Sequence, residues 1–165
     1  MRIKWRSIIM LLVLAAIASC ASSPKTDPVV KGGKQGYFVD PGDFWGVNFK
    51  QGEPTQAGSL SLALSGPRDQ EALDNDLLLL ERMPPEIPLR VVGFADSKEC
   101  AGTSCAELSL RRARALHDWM LNHGVSKSRL SAPHGFGSAR PIGDNETEDG
   151  RARNRRAYIS YEHTP

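Results

Sequence analysis

The spacing of apolar residues changes several times along the chain, and each change predicts an element. Trp45, Val47 and Phe49 alternate with smaller or polar residues, the period of a half-buried strand. Leu60-Ser61-Leu62-Ala63-Leu64 alternates in the same way and reads as a short strand. It lies in a segment punctuated by Gly52, Pro54, Gly58, Gly66 and Pro67. Leu73, Leu77 and Leu80 then fall on one face of a helix, expected to be capped by Asp69 and to run to Arg82. Met83-Pro84-Pro85 stops it, because the residue before a proline avoids helical angles and proline has no N–H to donate. Leu89-Arg90-Val91-Val92-Gly93 follows as a buried strand.

The strongest periodic signal is the second helix. Ser104 and Glu107 have the spacing of a capping box, and Gly124 suits the position just past the end. Ala106, Leu110, Ala113, Leu116, Met120 and Leu121 share one face, with Arg112 at its edge near Leu108 and Trp119. Arg111 and Arg114 point further out, where the pairs Glu107–Arg111 and Arg114–Asp118 have the spacing to meet. Residues 129–132 read as a short strand, 135–141 as a loop and 145–150 as a polar turn. Residues 156–161 alternate as a closing strand, with Ala157, Ile159 and Tyr161 on one face. The order strand, helix, strand, helix, strand, strand predicts a small α/β fold, an α+β sandwich with a right-handed crossover.

The first 42 residues follow a different pattern. Residues 1–19 read as a lipoprotein signal peptide: Arg2, Lys4 and Arg6 precede an apolar run over 8–17 that is too short to span a membrane. Ile17-Ala18-Ser19-Cys20 resembles a bacterial lipobox, with Cys20 as the residue that takes acyl chains such as palmitate. The other reading is an ordinary secretory signal. Ala21 rather than an aspartate follows the cysteine, which by resemblance to lipoprotein sorting favours the outer membrane. Residues 20–42 are rich in Ser, Pro, Gly and Lys and read as a flexible tether. The globular domain is assigned to 43–165.

Charge narrows the function. Removing Arg2, Lys4 and Arg6 takes the 21 basic residues to 18 against 19 acidic ones, a net charge of −1, which argues against a nucleic-acid partner. Neither H-E-x-x-H nor Gly-x-Ser-x-Gly occurs, so neither a metal or cofactor site nor an enzyme is expected. The candidate chemistry is an acid, Asp96, after the strand at 89–93, with arginines on two other elements: Arg112 on the helix and Arg155 within the basic block 151–156. An anion and a planar guanidinium a few ångströms apart suit a zwitterionic ligand. The same two residues also fit a turn cap and a structural ion pair.

These residues, in order, carry a resemblance. The chain is similar to the OmpA-like C-terminal domain family, which includes the peptidoglycan-associated lipoproteins. The likeness rests on Val91-Val92-Gly93-Phe94-Ala95-Asp96, Leu108-Ser109-Leu110-Arg111-Arg112-Ala113, Gly135-Phe136-Gly137 and Asn154-Arg155-Arg156. It implies a small mixed sheet with helices packed on one face, and non-covalent binding of peptidoglycan through the diaminopimelate of the stem peptide. By position it implies that Asp96 takes the ligand's ammonium, Arg112 its carboxylate, and that Arg155 adds a basic contact. Phe94 and Ala95 stand where the family often has His and Thr, and residues 98–105 form an insertion beside the proposed site.

Cys100 and Cys105, in an exported chain, read as a disulfide closing that insertion; the alternative, a metal site, lacks nearby partners. The whole then reads as an outer-membrane lipoprotein whose periplasmic domain tethers envelope to wall. Its rivals are an OmpA-like scaffold or regulator that binds another envelope protein, and a wall hydrolase. The latter would need an acid or nucleophile within reach of a base.

Overall fold

The computed structural model describes residues 44–56 and 60–161. The predicted signal peptide, the lipidation site Cys20 and the tether 20–42 lie outside the described residues. Those described fall within one compact unit. Four strands, β1 (Val47–Asn48), β2 (Leu89–Gly93), β3 (Leu130–Gly135) and β4 (Arg156–Tyr161), make one mixed sheet in the order β1-β4-β2-β3. β2 runs parallel to β3 and antiparallel to β4, and β4 runs antiparallel to β1. The helices are α1 (Leu60–Ala63), α2 (Pro67–Arg82), α3 (Thr103–Asn122) and α4 (Glu148–Asn154). The β2–α3–β3 crossover and the mixed sheet are as expected.

Strand alternation divides the buried residues. Val91 and Ile159 pair across β2 and β4 and join the main core with Leu73, Leu80, Leu116 and Met120 of α2 and α3. Their neighbours Val92 and Tyr158 also pair, and cluster with Phe94 and Phe136 instead. Burying each large apolar side chain is worth about 1.5–3 kcal/mol, so the α2–α3 side dominates stability.

Several elements differ from expectation. Trp45 is 66% exposed. Gly46, at φ +65°, breaks the alternation, so Phe44, Val47 and Phe49 are the buried positions. A Cβ at Gly46 would lie 2.6 Å from that of Tyr158, so the bend brings this segment tightly onto β4. Residues 60–63 are helical rather than extended; Leu60 and Ala63 are buried at i, i+3 spacing, and four residues are too few to separate the two periods. Leu64 alone bridges to Phe49.

α2 starts at Pro67, with Gly66 as its cap and Asp69 one turn in. Proline at the first helical position supplies helical φ, and its missing N–H would have been unpaired there anyway. The Asp69 carboxylate accepts from the N–H of Gly66 (2.9 Å) and also from that of Asn48 (2.8 Å). Asp76, two turns on, accepts from the N–H groups of Trp45 and Gly46. Two aspartates of α2 thus satisfy backbone donors of the short edge strand, at Asn48, and of the two residues that lead into it.

α3 begins at Thr103 after Gly102, and the expected capping box is absent: Ser104 Oγ is engaged with Ala101, donating to its carbonyl (2.7 Å) and accepting from its N–H (3.0 Å). Its end is as expected. Gly124 has φ +91°, its N–H donates to Leu121 O and the Val125 N–H to Met120 O, which closes a Schellman motif. The expected Glu107–Arg111 pair gives way to a hydrogen bond from Arg111 Nε to Pro54 O (3.0 Å).

The buried residues of α3 are Cys105, Leu108, Ser109, Arg112, Ala113, Ala115, Leu116 and Met120; Ala106 is exposed. The shift follows from the seat of the helix. Gly93 and Gly135 are register partners on β2 and β3, and the α3 backbone rests directly on them. β3 runs beyond the expected 129–132 to Gly135, the first residue of the expected loop. Pro133 is tolerated because β3 is an edge strand whose register shifts there. The expected polar turn at 145–150 instead leads into α4, capped by Thr147, whose Oγ1 accepts from Gly150 N (3.1 Å).

Candidate functional site

The three predicted site residues arrive from three elements. Asp96 follows β2, Arg112 projects from the middle of α3, and Arg155 caps the C-terminus of α4. All three are buried. Arg112, read from sequence as lying at the edge of the stripe, is 0% exposed. Asp96 does not pair with Arg112. Its Oδ2 accepts from Arg155 Nη1 at 3.0 Å, and its Oδ1 accepts from the N–H groups of Lys98 (2.7 Å) and Glu99 (2.9 Å).

Arg112 pairs with Glu99, a residue sequence reasoning passed over. The contact is bidentate: Nη1 to Oε1 is short and Nη2 to Oε2 is 2.8 Å. Arg112 Nε donates to Glu53 O (2.8 Å), Nη1 to Phe94 O (3.0 Å) and Nη2 to Lys50 O (3.3 Å). A guanidinium has five N–H donors, and all are engaged. Glu99 is equally committed, since Oε1 also accepts from Asp96 N (3.0 Å) and Oε2 from Gly52 N (2.8 Å). The Glu99 side chain is 1% exposed. The only sequence signal for this role was a lone acid three residues after Asp96, in a loop beside an arginine that needs a counter-charge once buried.

Arg155 links this pair of carboxylates to a third. Its Nη2 donates to Glu148 Oε1 at 2.6 Å, and Glu148 also binds Arg151 Nε (2.9 Å). Burial alone would lower the Arg155 pKa, but its contacts with Glu148 and Asp96 outweigh that and hold it above the ordinary value. The hydrogen bond from Arg155, followed by that from Arg151, lowers the Glu148 carboxyl pKa. A carboxylate with a depressed folded pKa adds stability above its ordinary pKa and loses it as pH falls through the lowered one. Glu148→Gln is therefore expected to reduce the loss of stability with acidification below the ordinary carboxylate range, leaving the neutral-pH change small because Glu148 is exposed. Unfolding midpoints measured across that range check this.

Asn154 fixes α4 against the preceding loop. Its Oδ1 accepts from the N–H groups of Ile142 and Gly143, and its Nδ2 donates to Gly143 O and Asn145 Oδ1. Asn145 Oδ1 also accepts from Ser97 N (3.2 Å), so the chain of polar contacts reaches the loop after Asp96. The Cys100–Cys105 disulfide, expected from sequence, closes that loop onto the first turn of α3, with Cα atoms 5.0 Å apart. Phe94 stacks with Phe136 and with Tyr158 at centroid distances of 5.3 and 5.5 Å, and the Arg156 guanidinium lies 3.8 Å over its ring. It anchors the start of the loop by packing. Among the described residues no group of His, Cys, Asp and Glu is arranged to hold a metal ion.

The assembled site is an alternating set of charges: Arg112 on Glu99, Arg155 on Asp96 and Glu148, Arg151 on Glu148.

The peptidoglycan-binding protein ArfA of Mycobacterium bovis is 32% identical over 113 residues, covering 68% of this chain and 33% of ArfA. Outer membrane porin F of Pseudomonas aeruginosa is 41% identical over 81 residues, 47% of this chain and 22% of the porin. The chain thus spans about a third of the length of the first of these relatives and less of the second. The C-terminal domain of Helicobacter pylori MotB superposes with a TM-score of 0.57 at 22% identity, covering 73% of this chain and 86% of that one, which shows a shared fold. The OmpA family profile matches residues 58–155, from ahead of α1 through the α4 arginine that holds Asp96, and the chain belongs to the OmpA family.

Proposed function

We propose that this domain binds peptidoglycan non-covalently through the diaminopimelate of the stem peptide. Asp96 takes the ligand ammonium, Arg112 the carboxylate, and Arg155 a further contact. The observation that carries the reading is the convergence of these residues from β2, α3 and α4 on one paired-charge site within an OmpA family domain. An amine and a carboxylate on one carbon are matched by such a site. The similarity to ArfA, named a peptidoglycan-binding protein, supports the ligand class.

In this reading Cys20 carries the lipid, the outer membrane holds one end of the chain and the wall the other, with the domain in the periplasm. Tethering raises the local concentration of the domain near the wall, so that a weak contact suffices. The role is attachment rather than catalysis. Asp96 and Glu99 are each held by a guanidinium and by backbone N–H groups, which leaves neither placed as an acid or base.

The test is sedimentation of residues 21–165, which contain every described element, with purified diaminopimelate-type peptidoglycan. Wild type is expected to pellet. Asp96→Asn, which keeps an acceptor for the loop N–H groups and removes the charge, is expected to weaken binding by about thirtyfold or more, as truncating a desolvated charge pair does. A wild-type protein that stays in the supernatant overturns the reading. One observation favours a second reading, an envelope scaffold with weakened wall binding: Glu99 already fills the fork of Arg112.

A further inference from the structure

We infer that Glu99 is a resident carboxylate occupying the ligand's place on Arg112, so that an external carboxylate binds only when Glu99 leaves. This rests on the wall-binding reading for its natural ligand. Its structural basis is independent of that reading. All five donors of Arg112 are engaged, two of them by Glu99 in the side-by-side geometry that a ligand carboxylate would adopt. The other three go to main-chain carbonyls of Lys50, Glu53 and Phe94, which a ligand does not replace. Glu99 is the exchangeable partner.

Asp96 and Glu99 also lock each other. Asp96 N donates to Glu99 Oε1, and Glu99 N donates to Asp96 Oδ1. When Glu99 swings out, the Asp96 main chain and the Arg112 fork are released together. The Asp96 carboxylate stays on Arg155 Nη1 and the Lys98 N–H, so this movement opens the Arg112 half of a zwitterion receptor.

The loop is built to allow this. Its carboxylate is buried, but the residues around it, Ser97, Lys98, Ala101 and Gly102, are exposed, so it can move without unpacking the core. Cys100 is bonded to Cys105 on α3, which limits how far Glu99 travels and returns it to the same place. Glu99 thus sets a threshold: a ligand carboxylate has to displace it from Arg112, and a ligand that also brings an ammonium to Asp96 gains an interaction that a lone carboxylate lacks.

The experiment compares wild type, Glu99→Gln and Glu99→Ala in two assays on residues 21–165. The first is the apparent Kd for diaminopimelate-type peptidoglycan by sedimentation. The second is the thermal midpoint in the presence of free meso-diaminopimelate or of acetate. Both variants are expected to bind the wall about tenfold tighter or more, since the open form no longer has to be selected from a minor population. Glu99→Ala is expected to gain thermal stability from either small molecule, and wild type to respond to diaminopimelate alone.

Where wild type pellets with the wall, binding that is unchanged or weaker in both variants overturns the inference. If no protein pellets with the wall yet diaminopimelate stabilises Glu99→Ala, the wall reading fails and the occupancy of Arg112 stands. If neither ligand nor wall acts on the variants, both fall. Should Glu99→Ala fail to fold, Glu99→Asp decides: it keeps the charge on a shorter stem, and a Kd no lower than wild type counts against the inference.

Discussion

Arg112→Ala is expected to lower the unfolding free energy by about 3–5 kcal/mol, the cost of breaking a buried ion pair by removing one partner. The reason lies in what remains. Glu99 would be left as a carboxylate with a side chain 1% exposed and no guanidinium, and the carbonyls of Lys50, Glu53 and Phe94 would each lose a donor. The segment at 50–53 is held to α3 and to the loop after β2 largely through these bonds and that of Gly52 N to Glu99. Replacing both members with apolar residues of similar size, Glu99→Leu with Arg112→Met, is expected to recover part of the loss, because it removes the unpaired charge. Denaturant unfolding of the three proteins with the disulfide intact measures this. A single-variant loss under about 1 kcal/mol would show that the site is more hydrated than its burial indicates. Wall-binding results for Arg112 variants have to be read beside these measurements.

What the sequence showed and what it hid follow from the range of the interactions concerned. β2, β4, the bodies of α2 and α3 and the Schellman end of α3 are specified by patterns within a few residues and stand where the periodicity placed them, while both helices start ahead of their expected caps. The positions of Asp96, Arg112 and Arg155 were legible through the family resemblance, but their pairing was not. Asp96 lies 59 residues from Arg155, and no local rule states which guanidinium a carboxylate will meet. Glu99 was hidden for a related reason. Its role exists only because Arg112 is driven into the interior, and the helical wheel put Arg112 at an edge. The wheel located the apolar stripe, but the seat on the sheet is set by the absence of side chains at Gly93 and Gly135, which a hydrophobic pattern does not register. α4 was missed because its seven residues include no large apolar side chain and so form no apolar stripe; Thr147 with Glu148 and Asp149 was the available signal.

That seat gives the second large effect. Gly93→Ala is expected to destabilise the domain by about 3 kcal/mol or more, at or beyond the upper end of ordinary overpacking. A Cβ at Gly93 would lie 2.0 Å from the main-chain oxygen of Ser109 and 2.9 Å from the nitrogen of Ala113. Both atoms belong to the backbone of α3, so no rotamer change relieves the clash and the helix itself must move. It cannot slide toward β3, where a Cβ at Gly135 would meet Leu110 N at 2.4 Å and the native contact is correspondingly close. It has to lift, and Arg112 lifts with it, away from carbonyls that accept at 2.8–3.3 Å. Stability and the charged site are therefore expected to fail together. Gly66→Ala is the matching control: its φ of −174° is ordinary extended backbone, and an added Cβ there meets nothing within 4 Å. That substitution is expected to cost less than about 1 kcal/mol, the effect of placing a poorer capping residue ahead of α2 with no clash. A Gly93→Ala protein within about 1 kcal/mol of wild type by denaturant unfolding would mean that α3 is not seated on the backbone of β2, and the burial of Arg112 would then need another cause.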